Sequence, residues 1–199
     1  MKKTIQSIIL SGLILAGPAC AAEPAGWVLL PDESKVAYGT IKQGEIGEVN
    51  HFKKLSGSVS DKGDVKIDID LMSLETNVDT RNERMQKYVF DSAHPTATLK
   101  AHVDMDRLEA LSPGEVAVIE TEGTLSFLTL SVPIDASMAV ARLDDDKVLV
   151  STNDMIMITT DDLGVDAGVD KLMELAGLSE IARAVPVTLR FVFEKPSKD

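Results

Sequence analysis

The stretch at residues 64–73 limits what this chain can become more than any other. Val65, Ile67, Ile69 and Leu71 fall on one face, and Lys66, Asp68 and Asp70 on the other. A period of two with one wet side marks an antiparallel strand laid over a core. The same pattern recurs along the chain. Residues 34–42 alternate through Val36, Tyr38 and Thr40, Gly44 and Gly47 interrupt, and residues 52–60 resume as extended chain. Residues 96–107 set Ala97, Leu99, Ala101, Val103 and Met105 on one side. Residues 115–127 do so with Ala117, Ile119, Thr121, Leu125 and Phe127, and residues 129–142 with Leu130, Val132, Ile134, Ala136, Met138 and Val140. Residues 147–160 read as a strand bulged near Asn153, and residues 185–194 close the series with Val187, Leu189, Phe191 and Phe193 inward. Asp61-Lys62-Gly63, Ser112-Pro113-Gly114 and Asp144-Asp145-Asp146 supply turns between them. The expectation is a mainly all-β fold of eight antiparallel strands with two short helices. Closing such a sheet removes its exposed edges. Eight strands enclose an interior that side chains fill, or that holds one slender ligand.

The helices interrupt this pattern. Residues 79–95 carry Arg81, Arg84 and Lys87 as a basic stripe and Met85 and Val89 as an apolar one. Thr76 or Asp79 is placed to cap this helix and Pro95 to stop it. The expected arrangement is a lid over one barrel end, with Met85 and Val89 facing inward and the arginines outward. Arg81 and Arg84 are candidates to meet a ligand head group, against the alternative of surface ion pairs with Glu83 or Asp79. A later helix places Val169, Leu172, Met173 and Ala176 at i, i+3, i+4, i+7, with Asp166 at its start and Gly177 at its end.

The amino terminus reads as something to be removed. Lys2 and Lys3 precede an apolar run at residues 8–16 and then Gly17-Pro18-Ala19-Cys20-Ala21-Ala22. A basic start, a short greasy core and small residues at the end form a secretory signal peptide, cleaved after Ala21 or Ala22. Residues 1–22 are therefore expected to leave a domain at 23–199 in the periplasm or outside the cell. Cys20 is the sole cysteine. Gly17-Pro18-Ala19 lacks the leucine of a lipobox, so the expectation is a cleaved peptide and not a lipoprotein. The mature chain would then hold itself together without disulfides.

Charge and motif narrow the function. With 20 Lys+Arg against 32 Asp+Glu, the net charge of -12 gives no footprint for nucleic acid. His51, His94 and His102 are scattered without ligand spacing, and Asp161, Asp162, Asp166 and Asp170 do not follow a calcium loop. No phosphate loop, nucleophile elbow or zinc motif appears. The expectation is therefore no catalytic residues, no metal, no cofactor and no enzymatic activity. What remains is a set of aliphatic inward faces with methionines and Phe52, Phe127, Phe191 and Phe193. Such an interior suits a long hydrocarbon, because each buried CH2 is worth about 0.8 kcal/mol. Its expected lining is Val36, Tyr38, Ile67, Ile69, Met85, Val89, Leu99, Val103, Leu125, Phe127, Ile134, Leu189 and Phe191.

Several features together resemble one family. They are the signal peptide, Trp27, Ser34-Lys35-Val36, Leu55-Ser56-Gly57, Thr76, Arg81-Asn82-Glu83-Arg84-Met85, Phe90-Asp91 and Pro95. These resemble the YceI-like family, exported lipocalin-like barrels that bind polyisoprenoid lipids, some of them linked to isoprenoid quinones. The family's usual Arg-Asp-x-His-Leu is replaced here by residues 81–85. The resemblance implies an eight-stranded, lipocalin-like barrel that carries or sequesters a polyisoprenoid or isoprenoid-quinone lipid in the periplasm, with transient membrane contact. The alternative is a filled barrel acting as a stress-protective or protein-interaction module without a lipid.

Overall fold

The computed structural model describes residues 25–196. The expected signal peptide, Cys20 and both cleavage positions lie outside the described residues. Twelve strand segments form the sheet: β1 (Ala25–Leu29), β2 (Lys35–Lys42), β3 (Ile46–Phe52), β4 (Leu55–Ser60), β5 (Asp64–Asp70), β6 (Leu74–Glu75), β7 (Thr96–His102), β8 (Val116–Phe127), β9 (Leu130–Arg142), β10 (Lys147–Thr152), β11 (Ile156–Thr159) and β12 (Ala184–Glu194). Three helices interrupt them: α1 (Asp79–Tyr88), α2 (Met105–Glu109) and α3 (Asp166–Ala176).

The segments assemble into the expected eight-stranded barrel. The closed ring runs β1-β4-β5-β7-β8-β9-β10-β12 and is sealed by β12 pairing back onto β1, with Leu29 opposite Phe193. The remaining segments continue ring strands past a break. The 3-10 turn Pro31–Glu33 separates β1 from β2, Lys53 and Lys54 separate β3 from β4, and the 3-10 turn Leu71–Ser73 separates β5 from β6. The expected bulge near Asn153 is a full break between β10 and β11. β12 spans both levels: its carboxy-terminal half pairs with β1 and β10, and its amino-terminal half with β2 and β11. The barrel thus has a lower level of closed ladder and an upper level built on the broken strands. Among the described residues β11 pairs with β12 alone, so the upper wall has no ladder between β9 and β11.

One core runs through both levels: Ile67 is 0% exposed and Trp27 1% in the lower, Leu71 1% and Leu74 2% in the upper. The Trp27 ring closes the floor, with the Arg142 guanidinium 5.3 Å and the Lys195 ammonium 4.8 Å from its centroid. Gly63, at φ +92, makes the turn from β4 to β5; a Cβ there would strike the Val103 carbonyl oxygen at 2.0 Å.

The structure corrects several expectations. Among the described residues there are three helices rather than two, because the strand expected at 96–107 ends at His102. There the Asp104 carboxylate accepts from the Asp106 N–H and starts α2. β3 occupies residues where glycines had suggested an interruption. Leu130 is 41% exposed at the end of the β8–β9 hairpin, not inward. Neither Thr76 nor Asp79 caps α1, whose N-cap is Val78. Instead Asn82 Oδ1 accepts from the Thr76 N–H at 2.9 Å and from its hydroxyl at 2.6 Å. Pro95 does not stop α1, which ends at Tyr88; its carbonyl accepts from Leu71 N–H. Asp166 is the first residue of α3 rather than its cap, whereas Gly177 ends that helix in the left-handed region at φ 63.

Candidate functional site

Among the described residues, inward side chains line two cavities stacked along the barrel, about 200 Å³ in the upper level and about 110 Å³ in the lower. They share Leu99, Ile134, Ile156 and Leu189 as common walls. The structure places all thirteen expected lining residues on these cavities. Val36, Tyr38, Ile69, Met85, Val89, Leu125 and Phe127 face the upper one, Ile67, Val103 and Phe191 the lower, and Leu99, Ile134 and Leu189 both. Strand alternation accounts for this: every one of the strand residues sits at an inward position of its ladder.

Two helices roof the upper cavity. Arg81 and Met85 of α1 and Val89, its C-cap, lie four residues apart, hence on one face, and all three line the cavity. Val169 and Leu172 of α3, with Val165 just before it, do the same from the other side. The helices touch where a Cβ added to Gly168 would lie 2.2 Å from the Tyr88 carbonyl oxygen. Glu75 fixes the start of α1: its carboxylate accepts from the Asn77 N–H at 2.7 Å and from Asn82 Nδ2 at 3.1 Å, and pairs with Lys53 at 2.5 Å. The Lys53 and Asn82 hydrogen bonds lead in holding its pKa down to about 2.

The two arginines part company. Arg84 points away from both cavities and donates to the Leu175 carbonyl at 3.4 Å, near the end of α3. Arg81 faces inward, contrary to expectation, and its partner is neither Glu83 nor Asp79. Its Nη1 pairs with Glu48 Oε2 on β3 at 2.5 Å, while Lys42 Nζ holds the other Glu48 oxygen at 2.9 Å. Burial raises the Glu48 pKa, but the Lys42 hydrogen bond and the Arg81 charge outweigh it and leave it below the ordinary glutamate range.

Lys42, Glu48 and Arg81 belong to a polar wall that the inward apolar pattern did not reveal. Tyr38, Thr40 and Lys42 of β2 and Glu48 and Asn50 of β3 all face the upper cavity. Tyr38 pairs across the ladder with Asn50, and Thr40 with Glu48. Asn50 is 2% exposed; its Nδ2 donates to Thr40 Oγ1 at 3.4 Å and its Oδ1 has no partner. The Tyr38 hydroxyl is also buried and unpartnered. Burial pushes its pKa above the ordinary phenol range, against the pull of Arg81, so it stays a hydrogen-bond donor. From this wall, aromatic rings run from Tyr38 through Phe52 and Phe90 to Phe127 with centroids 5.8, 6.0 and 6.2 Å apart. The lower cavity is apolar apart from Asp104 at its edge and the buried, unpartnered Thr121 hydroxyl.

The arrangement is that of a container: a long apolar interior, one polar wall near the top, and helices over the end. Comparison with known proteins agrees. Residues 27–193 match the YceI-like domain family. The fold is similar to that of a polyisoprenoid-binding domain from Saccharophagus degradans implicated in plant cell wall breakdown, with 30% sequence identity and a TM-score of 0.85 over 87% of this chain and 100% of that one. It is also similar to BcnA of Burkholderia cenocepacia, at 19% identity and a TM-score of 0.64 over 82% of this chain and 98% of the other. No curated protein matches.

Proposed function

Because the chain belongs to the YceI-like family, we propose that it is a binding protein rather than an enzyme, and that it carries or sequesters a long isoprenoid lipid inside its barrel. The observation that carries this reading is the pair of stacked cavities, whose walls below the polar stretch of β2 and β3 are aliphatic and aromatic down to Trp27. A linear hydrocarbon matches that shape. Burying its methylenes at about 0.8 kcal/mol each supplies affinity without any directional contact. The polyisoprenoid-binding domain from Saccharophagus degradans, 30% identical along its entire length, supports the same ligand class.

The working compartment proposed is the periplasm, on the strength of the amino-terminal sequence pattern. Arg81 belongs to the mouth of the site, and Arg84 to the contact between the roof helices. The test is extraction of the mature protein, purified from its own host, with organic solvent, followed by mass spectrometry. A stoichiometric polyprenyl species is the expected result. A folded protein that yields no lipid would overturn the carrier reading in favour of a filled, protective barrel.

A further inference from the structure

The β2–β3 wall leaves two buried polar atoms without partners on residues that face each other across one ladder: the Tyr38 hydroxyl and Asn50 Oδ1. Folded proteins seldom leave such atoms unmet, because desolvation then goes uncompensated. Asn50 is 2% exposed and both residues line the upper cavity, so a ligand in that cavity is placed to meet them. Resting on the lipid-carrier reading, we propose that this wall is the head-group subsite, and that the head group it selects is uncharged and hydroxylated, as in a terminal alcohol or a phenol.

The two atoms have opposite needs. Tyr38 has a proton to give, and Asn50 Oδ1 can only accept one. A hydroxyl-bearing head group offers both an acceptor and a donor. A bare hydrocarbon offers neither. A carbonyl meets Tyr38 and leaves Asn50 unmet. A phosphate ester has no proton for Asn50 at neutral pH, and its charge would approach the Glu48 carboxylate, which already occupies both nearby cations, Lys42 and Arg81. The lower cavity has a single such atom, Thr121 Oγ1. The bound molecule is therefore oriented, with its head under α1 against β2 and β3 and its tail running down toward Trp27.

Trp27, the only tryptophan, lines the lower cavity and reports the arrival of a tail there by fluorescence. Three C20 probes with the same isoprenoid chain would be titrated into the delipidated protein: the alcohol, the diphosphate and the hydrocarbon lacking a head. The alcohol is expected to bind roughly tenfold tighter than the hydrocarbon, the worth of about one well-made hydrogen bond, and tighter than the diphosphate. Tyr38→Phe and Asn50→Leu should each bring the alcohol within about threefold of the hydrocarbon measured on the same variant. Tyr38→Phe removes only an unmet hydroxyl, so its unliganded melting temperature should equal or exceed that of the parent; this variant keeps the test open should Asn50→Leu fail to fold. Equal binding of all three probes would refute the subsite and leave the carrier reading standing, as would a diphosphate that binds tightest or a preference that only Thr121→Val removes. Failure of all three to bind would refute both.

Discussion

Arg81 on α1 and Glu48 on β3 are 33 residues apart in sequence and joined by a 2.5 Å ion pair at the rim of the upper cavity. Both side chains are about one-quarter exposed, and Lys42 completes the cluster from β2. The roof helix is thereby tied to the barrel wall by charge as well as by packing. Glu48→Gln keeps the shape and removes the charge. A partly exposed pair of this kind is worth about 1 kcal/mol, so the melting temperature should drop by about 2–4 °C. Release of a bound fluorescent lipid in stopped flow should quicken by about fivefold, the rate equivalent of the same energy. An unchanged release rate would mean the roof does not gate exit.

The pH dependence follows from carboxylates held low at the roof. Glu75 has a pKa of about 2 and Glu48 lies below its ordinary range. In the acid window the unfolded chain binds more protons than the folded one, so stability rises with pH there. These contributions are complete above the ordinary glutamate pKa and fade as pH falls through the folded values, the last at about 2 for Glu75. Thermal melts at descending pH should therefore show a loss of stability beginning at about pH 4.5. Glu75→Gln should lower stability at neutral pH and flatten that acid limb. A limb as steep as the parent's would assign the acid sensitivity to other groups.

Gly168 sets the distance between the two roof helices. A methyl there would meet backbone, the Tyr88 carbonyl oxygen at 2.2 Å and Val89 Cα at 2.9 Å, with no flexible side-chain end to yield. Gly168→Ala should destabilise by about 1–3 kcal/mol through overpacking, despite the better helix propensity of alanine. It should also widen the roof, seen as faster lipid exchange. A gain in melting temperature would show that α3 can shift at no cost.

Leu99 forms part of the wall between the two cavities. Leu99→Trp fills that waist. The variant should retain a short prenyl chain in the upper cavity and lose affinity for a C40 chain by at least about tenfold, roughly 1.4 kcal/mol. Affinity for both lengths measured by titration decides it, and parallel losses would place the long chain on another route.

The strands were legible wherever the inside of the barrel is apolar. β5, β7 and β12 show clean alternation, and their inward residues are the ones the pattern names. β3 was not legible, and the cause is physical. Its inward side carries Glu48 and Asn50, while Val49, 68% exposed, faces out and Gly47 dilutes the pattern. A strand with charged and amide side chains inward and an exposed valine outward breaks the usual rule, and it does so at the polar wall of the cavity. Arg81 was misplaced for a related reason. Helical spacing put it in a basic stripe with Arg84 and Lys87, and equally in line with Met85 and Val89; only the position of Glu48 on an unrecognised strand decides between these faces. The third helix was hidden because residues 103–105 keep apolar alternation while the Asp104 carboxylate turns the backbone.

The breaks at Pro31–Glu33, Lys53 and Lys54, Leu71–Ser73 and 153–155 divide labour along the barrel axis. Below them an unbroken ladder and the Trp27 floor carry the fold. Above them, short strand pieces, the end of the β8–β9 hairpin and two helices carry the rim and the polar wall. Mutations in the upper level can reshape what is held while the lower ring remains intact. The upper level is therefore the place where an engineer would graft a new mouth.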